Sequence, residues 1–214
     1  MKTKFNSQFS YVGSVPAFAQ EDIRNEPMLF ACDRDHARTI GGKIVNAFMD
    51  ALPPDWQTGS VIVDSRCHML MTGMYPCMPG WHLDDVPRDR PDKQPDHINP
   101  SYKSEHILCN IGTCSMTNFA VGSVELEEPP LGKIVYREWH PIVQGLVNSG
   151  ELALHVIEEG KLAAFDWQGW HEGTPAKFNG WRMFIRASRN TNRPYFNEQR
   201  HQTQVYLPEP FVSW

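Results

Sequence analysis

The chain lacks any run of about 18 consecutive apolar residues, which excludes an ordinary membrane-spanning helix. It also lacks the apolar stretch of a secretory signal: Lys2 and Lys4 are followed by Phe5-Asn6-Ser7-Gln8-Phe9. A cytoplasmic protein is therefore expected. None of the five cysteines, Cys32, Cys67, Cys77, Cys109 and Cys114, forms a CxxC pair, and their number is odd. That argues against a disulfide framework and against a structural zinc knuckle, leaving reduced thiols. There is no excess of basic charge either. At a net charge of -5 the chain has no general attraction for phosphate backbones or anionic membranes, so neither nucleic acid nor membrane is indicated as a partner. Internal repeats are absent.

What is present fits an ordinary globular protein. The 214 residues are 41% hydrophobic and 21% charged, enough to bury a core and far from the composition of disorder. One domain spanning 1–214 is expected, with its core at about 55–190, a helix at about 33–52 and a C-terminal extension at 190–214. Ile40, Ile44, Phe48 and Leu52 recur every four residues and mark one helix face. Asp33 or Asp35 can cap its start and Pro53-Pro54 ends it, while Gly41-Gly42 weakens its middle by roughly 1 kcal/mol per glycine.

Beyond this helix the period changes to two. Val61 and Val63, then Met69 and Met71, alternate with more polar neighbours. Strand-like runs follow at 105–110, 116–121, 133–137, 153–157, 161–165 and 181–187, most of them separated by Gly or Pro. The expected fold is mainly β with a flanking helix: a sandwich, jelly roll or barrel.

Two segments interrupt the rhythm. From Val86 to Lys103, four prolines stand among Arg88, Arg90, Lys93, Lys103, Asp89, Asp92 and Asp96. Loops of this length are usually functional, and an open, mobile lid that orders on binding is expected here. The tail from Asn190 onward turns apolar at Val205-Tyr206-Leu207 and Phe211-Val212. It is expected either to pack back on the body or to join a second copy in a homo-oligomer.

His82-Leu83-Asp84 is the motif with chemistry. In an extended segment residues i and i+2 point the same way, so an imidazole and a carboxylate can converge on one ion. Alone it carries little weight. Nine histidines and 25 acidic residues would produce about one H-x-[DE] by chance, and this is the only one present. Asp85 follows, but only Asp84 has the right parity. His171 adds a distant second imidazole. Eleven residues further, Arg182 opens a run in which Arg182, Phe184, Arg186 and Ser188 share one strand face. Arginines facing a barrel interior need an anion, and a carboxylate meets a guanidinium with two parallel hydrogen bonds. His36, His97, His106, His140, His155 and His201 have no partner at metal-ligand spacing and are expected to be hydrogen-bonded or at the surface. His68 could face either pocket or rim.

In order and spacing this pattern resembles the Fe(II)- and 2-oxoglutarate-dependent dioxygenases, especially their phytanoyl-CoA and taurine dioxygenase-like branches. The likeness covers roughly 75–188: H-x-D, a long gap, a distal His, then Arg about ten to twelve residues on. Thr117-Asn118-Phe119-Ala120 is similar to the strand whose Thr helps hold the cosubstrate in the taurine branch. The resemblance implies a double-stranded β-helix (jelly roll, cupin-like) with iron on His82, Asp84 and His171. It further implies 2-oxoglutarate anchored by Arg182 with Thr117, O2 as second cosubstrate, and Arg186 as a further contact to cosubstrate or substrate. Phytanoyl-type members often carry Arg-x-Ser where this chain has Arg182-Met183-Phe184, so either Arg186 or Thr117 would supply the missing donor or the far carboxylate would bind differently from the family norm. The implied outcome is hydroxylation of a small polar metabolite with release of succinate and CO2, and the carboxylate of Asp84 argues against halogenation. Trp81, beside the motif, is a candidate substrate contact. Three other readings stay open: a nucleobase or peptidyl side chain as substrate, a cupin-like binding domain without turnover, or a zinc or manganese hydrolase or isomerase.

Overall fold

In the computed structural model, residues 2–208 are described. The chain begins with strands β1 (Lys2–Ser7) and β2 (Phe9–Ser14), helix α1 (Gln20–Asn25), β3 (Met28–Phe30), α2 (Arg34–Ile40) and α3 (Lys43–Ala51). It continues through β4 (Ile62–Leu70), β5 (Glu105–Ile111), β6 (Thr117–Glu127), α4 (Val135–Ser149), β7 (Ala153–Val156) and β8 (Lys161–Asp166). Then come β9 (His171–Gly173), β10 (Gly180–Arg189) and β11 (Glu198–Arg200).

The larger sheet has the order β2-β8-β5-β10-β4, all antiparallel. The smaller one is β1-β6-β7, with β9 also on β6 and His82 bridged to His171 beyond it. From β4 onward the chain thus crosses back and forth between two facing sheets, which is the winding of a double-stranded β-helix. Alternation explains why the larger sheet is buried on both faces. Val63, Cys67, Ile107, Cys109, Met183, Ile185 and Ala187 point outward into a core shared with α2 and α3. The residues between them, among them Asp64, His68, Asn110, Arg182 and Arg186, point inward.

Several expectations change here. The helix expected at 33–52 is two helices. A Cβ on Gly41 would lie 2.5 Å from the Ala37 carbonyl oxygen and 2.4 Å from Val45 Cγ1, and α3 restarts at Gly42, where the Glu26 carboxylate accepts from Ile44 N and Val45 N. The strand expected at 133–137 is the first turn of α4. Ile134, Val135 and Tyr136 look β-prone, but Val135, Trp139 and Val143 are spaced four apart and pack with Phe5, Trp81, Val124 and Trp170 on the outside of the smaller sheet. The core is not confined to about 55–190 either, because β1 pairs with β6 and β2 with β8.

The segment 86–103 is not an open lid. Arg90, 7% exposed, is held by Asp92 and Glu128, and His97 is buried among the rings of Phe5, Tyr136 and Trp139. The tail packs back on the body as far as Tyr206, which exchanges backbone hydrogen bonds with Tyr75. Phe211 and Val212 lie outside the described residues. Among the described residues no helix is long and apolar enough to cross a membrane.

Candidate metal centre

His82 and His171 are direct partners across an antiparallel bridge, His82 N donating to His171 O at 3.0 Å and His171 N to His82 O at 3.1 Å. Facing residues in such a bridge project their side chains to the same side. The ring centroids are 4.6 Å apart. Asp84, two residues along, joins them, with Oδ2 3.2 Å from His171 Nε2. One potential ligand atom from each of the three residues lies within 4.8 Å of the others.

Each imidazole is oriented by its own chain. His82 Nδ1 lies 2.8 Å from the Gly80 carbonyl and His171 Nδ1 2.8 Å from that of Gly169, so Nδ1–H donates outward and the Nε2 lone pair faces the cluster. Helix α4 holds the segment from outside: Tyr136 Oη donates to Leu83 O at 3.0 Å, and Trp81 N meets His140 Nδ1 at 3.0 Å. Burial brings the His82 pKa down to about 4, so the ring is neutral and able to ligate. Burial alone would raise Asp84, but Arg186 and His171 overrule it and keep the carboxylate ionised, well below its ordinary range.

Trp81 does not line the cavity. Parity turns it away from His82 and Asp84 into the core beneath α4, where it is 1% exposed and its Nε1 donates to Gln144 Oε1 at 3.0 Å. Trp81→Phe should therefore cost about 1–2 kcal/mol of stability, through a lost hydrogen bond and a small cavity, and leave ligand binding unchanged. Chemical denaturation beside a ligand titration checks this. Altered binding with unaltered stability would return Trp81 to the site.

Arg182 enters the same cavity from β10, 3% exposed. Its Nε donates to Ser115 O at 2.8 Å and its Nη2 to Asn110 Oδ1 at 2.8 Å, with Thr117 Oγ1 3.5 Å away. Asn110 Nδ2 in turn donates to Thr117 Oγ1 at 2.9 Å. The side chain that steers Arg182 most directly is the Asn110 amide, which sequence reasoning overlooked. Its signal was parity, since His106, Leu108 and Asn110 share one face of β5. Gly112, at φ +89°, lets the β5–β6 turn press on β10 beside Arg182, where a Cβ would come within 2.3 Å of Trp181 O. Burial brings the Arg182 pKa down to about 10, so it stays a cation, and no described carboxylate pairs with it.

Arg186 follows on the same face of β10. It lines the cavity but is bonded to Asp84 and lies 3.8 Å from Asp64 Oδ2, so its charge is already met within the protein. The cavity, about 330 Å³, also includes His68, Asp64, Arg66 and, from the tail, Arg193, Arg200 and Tyr206. No residue of 86–103 lines it.

No family model matches the sequence, and no curated protein matches it significantly. Similar solved structures include HygX from Streptomyces hygroscopicus with iron bound, 13% identical over 87% of this chain and 83% of that one, at a TM-score of 0.38. EvdO2 from Micromonospora carbonacea var. aurantiaca, complexed with 2-oxoglutarate, is 12% identical over 71% of this chain and 60% of its own, at 0.35. CytC3 with Fe(II) and alpha-ketoglutarate is 10% identical over 83% and 71%, at 0.36.

Proposed function

We propose that the chain is an Fe(II)- and 2-oxoglutarate-dependent oxygenase that hydroxylates a small substrate and releases succinate and CO2. One observation carries this reading: a single cavity holds both a convergent His82, Asp84, His171 cluster and, on Arg182, a buried guanidinium without a counter-ion. Two imidazoles and one carboxylate occupy one face of an octahedral ion and leave adjacent positions open, the arrangement that suits Fe(II) in oxygenases. A buried cation held in place but not neutralised suits the far carboxylate of a dicarboxylate.

Iron and 2-oxoglutarate, when bound, would supply the oxidative decarboxylation and the oxidising power for attack on a C–H bond. The protein's part is positional. Gly80 and Gly169 fix the ring tautomers, and Arg186 keeps Asp84 anionic. Ser115, Asn110 and Thr117 aim Arg182 into the cavity. The inward faces of the two sheets and the tail enclose the cavity and limit the access of water.

The test supplies Fe(II), 2-oxoglutarate and O2 and measures succinate. Iron-dependent succinate is expected, with none when Zn(II) replaces iron. Binding of both groups without succinate, across a metabolite screen, would favour the non-catalytic reading. Failure of the iron-loaded protein to bind 2-oxoglutarate would refute the proposal.

A further inference from the structure

The cavity contains more positive charge than the proposed cosubstrate needs. Five arginines line it, Arg66, Arg182, Arg186, Arg193 and Arg200, against two aspartates, Asp64 and Asp84. Asp84 belongs to the metal cluster and also holds Arg186. Asp64 is shared three ways, at 3.8 Å from Arg186, 2.8 Å from Arg193 and 3.6 Å from Arg200. With Arg186 already met by Asp84, Asp64 is left against both Arg193 and Arg200, one carboxylate against two guanidiniums, and Nη1 of Arg193 is buried without a partner.

Arg66 is further from balance. It projects inward from β4 between Asp64 and His68, and among the described residues it has no hydrogen bond or ion pair. Its charged neighbours are like-charged: it disfavours the cationic forms of His68, Arg182 and Arg200. His68, 2% exposed, has only the Gln204 backbone as a polar neighbour, with neither ring nitrogen in a well-formed hydrogen bond. A half-buried guanidinium without a partner is costly unless a ligand satisfies it.

Their place in the fold says which ligand. The tail crosses the cavity mouth, fastened by β11 to β3, by Thr203 Oγ1 donating to Cys67 O at 3.0 Å, and by the Tyr206–Tyr75 bridge. Arg66, Arg200 and Tyr206 line both the metal cavity and a neighbouring groove formed with Gln202, Thr203 and Gln204. They stand where a molecule would pass from the groove to the metal. Arg200 is also steered by the Phe30 ring, 4.2 Å from its guanidinium carbon.

We infer that the prime substrate is a small anion, whose carboxylate, phosphate or sulfonate group docks on Arg66 and Arg200 while its carbon skeleton reaches toward His82, Asp84 and His171. The inference rests on the oxygenase reading for the identity of the reacting end, but the anion site is separately testable. It narrows the small polar metabolite expected from the sequence to an anionic one.

The experiment titrates the Fe(II)-loaded protein, oxygen-free and saturated with 2-oxoglutarate, with inorganic phosphate, methanesulfonate and acetate, followed by calorimetry. At least one should bind. Arg66→Gln should weaken it roughly ten- to hundredfold, the loss expected for a charge-assisted pair, and Arg66→Lys should weaken it less. Arg200→Gln, on the tail and outside both main sheets, should also weaken it and guards against a folding defect in β4. The inference is overturned if none of the three anions binds, if binding survives both glutamine variants, or if Arg66→Gln removes 2-oxoglutarate instead. An Arg66-dependent anion signal in protein that ignores 2-oxoglutarate would uphold the anion site and sink the oxygenase reading.

Discussion

Changing His171 to alanine should leave the protein folded but without iron. The substitution removes one of three ligands and one wall of the cluster, while the backbone bridge to His82 does not depend on the side chain. Loss of an outer partner of a metal ligand typically costs ten- to a hundredfold in affinity, and loss of the ligand itself should exceed that. Reconstitution with Fe(II), desalting and metal analysis should give about one iron per chain for the parent and almost none for His171→Ala or His82→Ala. Stoichiometric, tightly held iron in both variants would show that the three residues are not the site.

Arg182→Ala should separate cosubstrate binding from metal binding. The guanidinium lies on the opposite sheet from the bridged histidines and touches none of the three ligands, so iron should stay. What should go is the anchor of a carboxylate, worth roughly 1.5–3 kcal/mol, or a ten- to hundredfold loss of 2-oxoglutarate affinity. Arg186→Ala should behave differently, because it releases Asp84 from its ion pair and so disturbs the metal end. Anaerobic titration of both variants decides the matter. If Arg186→Ala lost 2-oxoglutarate while keeping iron, and Arg182→Ala kept both, the two arginines would have to exchange roles.

Part of the metal cluster was legible locally, since parity puts His82 and Asp84 on one side of an extended segment and Arg182 and Arg186 on one face of β10, whereas distant His171 was picked out only by the order and spacing of the family resemblance. Most strands of the larger sheet were legible for the same reason. Helix α4 was not, since Ile134-Val135-Tyr136 favours a strand, and Pro141 and Gly145 interrupt the helical spacing that Val135, Trp139 and Val143 carry. Strands β1 and β2 were missed because their burial alternates weakly, with Phe5 and Ser7 the fully buried positions of the pair. Trp81 was misread by closeness in sequence to a ligand. Arg66 is more than a hundred residues of chain away from Arg193 and Arg200, and only the return of the tail over the mouth brings them to one cavity. No spacing rule contains that information.

The order of strands also bears on how the chain reaches this state. β1 pairs Lys2 with Glu127, β2 pairs Phe9 with Phe165, and β4 pairs Leu70 with Gly180. Contacts this distant require long loops to close before any ladder forms, so folding should be slow for a chain of this size, with helices α2 and α3 free to form early. A ribosome would deliver β1 and β2 first, yet they must wait for strands made more than a hundred residues later. Until then Phe5 and Phe9 remain exposed on unpaired strands, and that interval is when self-association would compete with the native fold.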